Sequence, residues 1–195
     1  VQPEEVWAFW RFMQDHFRTS VINKRSALEM QLVARGLEAL GIQSKDRFLK
    51  NFTTTIGRRI YTPFEVGSPK GGWDLWHQIV ICVHEHQHVV QHDREGLAYE
   101  VSYLADRAAR ARWEAEAYRS NLELHFWRYG TTPSARRIAE VLGDYGCRPE
   151  DVDVAAKSLA LSAVSIRKGA VINEATHVAL GWLDEHVPRL RFKQG

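Results

Sequence analysis

An α+β fold, mostly α, is what this 195-residue sequence predicts. Apolar residues recur at helical spacing through most of the chain. One β-branched and aromatic run, about residues 52–66, interrupts that pattern. Pro3, Gly41, Gly130, Pro133, Gly143 and Pro149 stand where helical stretches start or stop.

The elements follow in order. Pro3 and the two glutamates after it suit a helix start, and Val6, Trp10, Met13 and Phe17 continue at helical spacing, with Trp7 and Phe9 widening the stripe. A second helix is expected from about Ser26 to Leu40, stopping at Gly41, and Ser44 is placed to cap a short helix through Phe48 and Leu49. Thr53–Ile56 and Arg59–Thr62 read as short strands with Gly57 at a bend. Gly67 to Gly72 reads as a loop. A strong helix is expected from about Trp73 to His92, then a loop or short helix over Arg94 to Glu100. A long helix follows from about Tyr103 to Trp127, with Leu104, Ala108, Ala111, Ala115, Tyr118 and Leu122 on one side and Gly130 at its end. Thr132 and Pro133 open a helix ending near Gly143, Pro149 opens another towards Lys168, and Asn173 caps a third ending near His186. With no internal repeat, the expectation is a single domain over 1–195, whose helical C-terminal part covers 131–190.

Composition narrows the functional classes. Apolar residues are 45% and charged residues 26%, as in an ordinary globular protein. The net charge of +2 makes no electrostatic case for a nucleic-acid partner, and the helices after Thr132 show no basic recognition face. No apolar run approaches the roughly 18 residues of a membrane span. The N-terminus lacks the regions of a signal peptide and has no initiator Met, so upstream processing is one expectation and cytoplasm the default one. Two cysteines make no disulfide framework: Cys82 reads as a small buried thiol and Cys147 as a loop residue open to solvent.

The chemistry concentrates in His84-Glu85-His86-Gln87-His88. Residues four apart stand one turn above each other, so His84 and His88 can offer two imidazoles to one ion. Glu85, offset by one position, can reach a metal-bound water whose pKa zinc lowers towards about 7. The string arises by chance at a frequency of about 3% for this composition, so the spacing needs support from its surroundings. That support exists. The motif is flanked by Ile79 to Val83 and by Val89-Val90, as suits a buried helix and not a solvated one. A third ligand is available from Glu114 or Glu116, on a downstream helix where alanines permit close approach. A third histidine six residues past His88 is absent, since position 94 is arginine, and the inverted motif ending at His86 would need histidine at 82, where Cys82 stands.

His84-Glu85-x-x-His88-x-x-Gln91, followed by Trp113-Glu114-Ala115-Glu116-Ala117-Tyr118, resembles the gluzincin branch of zinc metallopeptidases. It is closest to the small minimal gluzincin domains that carry H-E-x-x-H and then E-x-x-A. The resemblance covers about Trp73 to Tyr129. It implies a zincin-like helical domain with a catalytic core of about 52–130, one Zn2+ per chain, and a peptide or protein substrate. It further implies His84, His88 and Glu114 as zinc ligands and Glu85 as general base. Glu116 stays as the alternative third ligand, although E-x-x-A counted from it meets Arg119 instead of alanine. Residues 1–50 and 131–195 match no pattern, so a catalytically inactive interaction or regulatory module on the same scaffold is the alternative function.

Further residues have weaker claims. Tyr118, one turn beyond Glu114, is the best-placed donor to an oxyanion, with Tyr103 and His177 behind it; packing is the competing role for each. Asp106 and Glu100 are candidates to hold the second ring nitrogen of a ligating histidine. Gln91 is expected to hydrogen-bond near the site or to pack beneath it. His86 is expected to be structural or exposed, and His92 to face solvent near the helix end. Trp7, Trp10, Trp76 and Trp113 fall on apolar stripes and are read as core.

Overall fold

The computed structural model describes residues 1–24, 26–27, 30–31 and 52–193. The expected helices over Ser26 to Leu40 and Ser44 to Leu49 therefore lie almost wholly outside the described residues. Elements are numbered among the described residues only. The fold is mostly α with one small three-stranded sheet, as the hydrophobic periodicity predicts. Contacts divide the chain into two compact units, Val1–Glu85 and His86–Gly195. No helix among the described residues is long and apolar enough to cross a membrane.

The first unit opens with α1, Pro3–Phe17, which has proline in its first turn and a reciprocal cap between Gln2 and Glu5. Val6, Phe9, Trp10, Met13 and Phe17 form its buried stripe, and the Trp10 indole N–H donates to the Gln78 carbonyl at 3.1 Å. Trp7 departs from the expected core role. It is 55% exposed, at the flank of the buried stripe, with the Arg11 guanidinium 5.5 Å from its ring centre.

Strands β1 (Ser20–Asn23), β2 (Thr54–Ile56) and β3 (Arg59–Thr62) form a sheet in the order β1-β3-β2. β2 and β3 are an antiparallel hairpin turning at Gly57, whose φ of +55° favours a residue without Cβ. β1 pairs with β3 in parallel, Ser20 opposite Arg59 and Asn23 opposite Thr62. The sequence offers only Val21-Ile22 as a sign of β1, too short a run to carry an alternating pattern.

The helix with the histidine motif, α2, spans Leu75–Glu95 and crosses the boundary between the units without a break. From Cys82 to Val89 every residue is buried.

In the second unit the chain departs from the expected single long helix near Tyr103. A nine-residue helix α3 (Leu97–Ala105) ends at Asp106, and α4 runs from Arg107 to Tyr129. Asp106 is extended (φ −120°, ψ 115°), and its carboxylate accepts the Ala108 N–H at 2.8 Å, so one residue ends the first helix and caps the second. Tyr103 and Leu104 therefore belong to α3, and Leu104 is exposed.

The next helix is capped by Ser134, not Thr132. It runs as α5, Ala135–Glu140, into a 3₁₀ turn over Val141–Tyr145, the Ser134 hydroxyl accepting from the Arg137 N–H. α6 (Pro149–Arg167) and α7 (Glu174–His186) begin where Pro149 and Asn173 place them. Ala111, Ala115 and Leu122 of α4 pack with Ala139, Leu142, Val152, Leu159 and Ile166 as the core of this unit. Cys147 is buried in the same core and not open to solvent, and it and Cys82 are free thiols.

Candidate metal centre

Six of the polar residues on α2 between His84 and Gln91 are almost completely buried: His84, Glu85, His86, Gln87, His88 and Gln91. Buried polar atoms need partners, so the partners define what each residue does.

Within the first unit, the Thr55 hydroxyl on β2 donates to Glu85 Oε2 at 2.6 Å. Lys24, just after β1, is fully buried, and its ammonium donates to the Phe52 carbonyl at 3.0 Å and to Thr54 Oγ1 at 2.7 Å. Burial lowers its pKa from 10.5 to about 7, a fall that the negative Glu85 partly opposes. The Cys82 thiol is pushed well up, first by burial and then by Glu85.

Within the second unit, His88 Nδ1 lies 2.8 Å from Gln91 Oε1 and 3.0 Å from the Tyr99 hydroxyl. Gln91 Nε2 donates to the Trp113 carbonyl at 2.9 Å. His88 Nε2 is 3.7 Å from Glu114 Oε1, which also accepts from the Tyr103 hydroxyl. Tyr103 is held in turn by Arg110, whose Nε donates to the Tyr103 carbonyl at 2.8 Å and whose guanidinium lies 5.5 Å from the ring centre. Burial, and then the neighbouring Glu114 carboxylate, push the Tyr103 hydroxyl well up, so it stays a donor.

One ligand atom from each of His84, His88 and Glu114 falls within 4.8 Å of the others, and all three residues are buried. This group could bind a metal ion. No protein-family model matches the chain, and comparison with curated proteins and with solved structures gives no match.

Two imidazoles and a carboxylate make a three-ligand set that suits zinc and leaves a coordination position open. Ligands about 2.0–2.1 Å from a tetrahedral ion stand about 3.3 Å apart, so the 3.7 Å between His88 Nε2 and Glu114 Oε1 needs a small closure, and the 4.8 Å that bounds the three ligand atoms needs up to about 1.5 Å.

The other carboxylate considered for the third position is engaged elsewhere. Glu116 Oε1 accepts from Gln87 Nε2 at 2.9 Å and from Arg94 Nη1 at 3.1 Å, while Oε2 accepts from Arg94 Nη2 at 3.0 Å. Tyr118 packs against the core cluster of its unit and hydrogen-bonds Tyr145. His177 is exposed on α7.

The outer partners differ from those the sequence suggested. Asp106 caps α4, and Glu100 is paired with His92, which is partly buried and not simply solvent-facing. Gln91 and Tyr99 serve His88 instead. Gln91 was legible as a residue one turn past His88. Tyr99 and Tyr103, four apart on α3, carried a usable signal in that spacing, whereas nothing near Thr55 or Lys24 in sequence links them to Glu85.

Proposed function

We propose that this chain is a zinc-dependent metallopeptidase that hydrolyses amide bonds, with His84, His88 and Glu114 holding the ion and Glu85 as general base. The observation that carries the reading is the buried His84-His88-Glu114 group, with a buried carboxylate at the intervening position of the same helix. When bound, zinc supplies Lewis-acid polarisation of water and of an amide carbonyl.

The chain's own residues supply the rest. Glu85 accepts the proton of the attacking water at Oε1 while Thr55 engages Oε2. The same carboxyl group then returns that proton to the leaving amine. Tyr103 keeps Glu114 oriented, and Gln91 and Tyr99 keep His88 oriented. The substrate is a peptide or a protein.

A second reading draws on burial. His84, Glu85 and His88 are only 3%, 5% and 6% exposed, which suits a metal-stabilised interaction or regulatory module that binds without cutting.

One experiment separates the two. Wild type, His84→Ala and Glu85→Gln are chelated, reloaded with zinc, and measured for metal by elemental mass spectrometry and for turnover on a quenched-fluorescent peptide library. The peptidase reading expects one zinc in wild type and in Glu85→Gln, turnover in wild type only, and neither in His84→Ala. Zinc without turnover in wild type supports the module, and turnover retained in Glu85→Gln sinks the mechanism.

A further inference from the structure

We propose that Gln91 is the positioning residue that decides which nitrogen of His88 faces the metal, by fixing the tautomer of the imidazole. The inference rests on the metal-binding reading of His84, His88 and Glu114. A neutral imidazole carries one N–H and one lone pair, and only the lone pair can ligate. His88 Nδ1 has two neighbours with different demands: Gln91 Oε1 at 2.8 Å and the Tyr99 hydroxyl at 3.0 Å. An amide oxygen can only accept, so beside Gln91 the proton must sit on Nδ1. A phenol can also donate, so beside Tyr99 alone Nδ1 could be bare and the proton could move to Nε2.

The orientation of the Gln91 amide is what settles this. Its Nε2 lies 2.9 Å from the Trp113 carbonyl, which is an acceptor only. The amide must turn its NH₂ there, and this leaves Oε1 for His88. Gln91 is fully buried, so neither bond is exchanged cheaply for one to solvent. With the proton on Nδ1, the lone pair of His88 is on Nε2, the nitrogen 3.7 Å from Glu114 Oε1. Trp113 is the residue immediately before Glu114. One amide thus ties the ring of one ligand to the backbone that carries another.

Removing the Gln91 carbonyl leaves Tyr99 as the polar neighbour of Nδ1 among the contacts described. Its hydroxyl then donates, the imidazole proton sits on Nε2, and an incoming ion must displace it.

The test has two readouts, neither of them catalysis. Long-range ¹H–¹⁵N NMR of His88 in the metal-free protein, at a pH where the ring is neutral, reports the tautomer. Competition with a chromophoric chelator reports the dissociation constant for zinc alone. Wild type is expected to show Nδ1–H. Gln91→Met should shift the ring towards Nε2–H and weaken zinc binding about 10- to 100-fold. Gln91→Met/Tyr99→Phe should recover part of that loss, because the competing donor is gone. Gln91→Glu, which keeps an acceptor at Nδ1, should hold the wild-type tautomer.

A wild-type ring protonated on Nε2 overturns the proposal, as does an unchanged tautomer in Gln91→Met. If Gln91→Met does not fold, the wild-type ring and Gln91→Glu still decide. Failure of wild type to bind zinc would refute the metal reading instead, and would leave the tautomer result to stand or fall separately.

Discussion

Lys24 gives the stability of this protein a pH dependence opposite to that of a lysine in an ion pair on the surface. Its ammonium is buried against the Phe52 carbonyl and the Thr54 hydroxyl, and burial lowers its pKa from 10.5 to about 7. Between those two values the unfolded chain holds the proton and the folded chain has released it. Stability therefore rises as pH rises through this window, and the full cost of the buried charge applies below about 7. At about 1.4 kcal/mol per pH unit the interval sets a ceiling of about 5 kcal/mol. Some rehydration of the site should bring the observed figure to about 2–5 kcal/mol.

Lys24→Met removes the titration and keeps most of the volume. It also leaves the Phe52 carbonyl and Thr54 hydroxyl short of a donor, at about 1–3 kcal/mol each. The two proteins should then be similar in stability near pH 6, with wild type ahead by several kcal/mol at pH 10.5. Urea denaturation of both, in chelator, at half-unit steps from pH 6 to 10.5 measures the difference. A difference that stays flat or falls with pH would show that Lys24 is not a buried, weakly basic amine. Glu85→Gln adds a check, because losing the carboxylate should move the lower edge of the window below 7.

Three further outcomes are expected. Thr55→Val removes the donor to Glu85 Oε2 and should lower kcat roughly tenfold or more, since a hydrogen bond to a charged group contributes about 1.5–3 kcal/mol; zinc stoichiometry should not change, and full activity would detach Thr55 from the base. Glu114→Ala should lose zinc in elemental analysis, whereas Glu116→Gln should keep it and change stability by no more than about 1 kcal/mol, because the Arg94–Glu116 pair is partly solvated. Gly130→Ala should cost about 1–2 kcal/mol in urea denaturation. The residue closes α4 at φ +69°, and an added Cβ would come within 2.5 Å of the Phe192 ring, which is half-exposed and can turn aside.

What the sequence made legible follows from the range over which each signal acts. α7 begins just past Asn173, although the Asn173 amide donates to Glu116 and Ser120 and makes no cap hydrogen bond. α1 and α6 begin at Pro3 and Pro149, because proline acts within one turn. His84 and His88 were legible for the same reason: a spacing of four is a local property of a helix. Thr132 and Ser134 are both cap residues by type; Ser134 takes the cap, and the Thr132 hydroxyl accepts from Arg167 Nη1 thirty-five residues away. The break at Asp106 was hidden because Tyr103, Leu104 and Ala108 keep helical spacing across it, while the residue that caps α4 looks in sequence like one more charged helix position. Thr55 and Glu85 are thirty residues apart, and Gln91 and Trp113 twenty-two. No periodicity reports on contacts of that kind.

On the proposed metal-binding reading, the uninterrupted run of α2 through both histidines has a consequence for how ions come and go. Four residues of helix fix a rise of about 6 Å between His84 and His88, and the backbone ladder holds that interval whether or not an ion is present. Where ligands sit on loops, capture of the ion must also order the chain, and losing it melts the fold. On a helical ruler the interval between the two histidines outlasts any ion they hold, while Glu114 comes from α4. Exchange of one divalent ion for another then becomes a substitution at fixed coordinates, governed by the preference of imidazole and carboxylate and by the supply of metal around the protein.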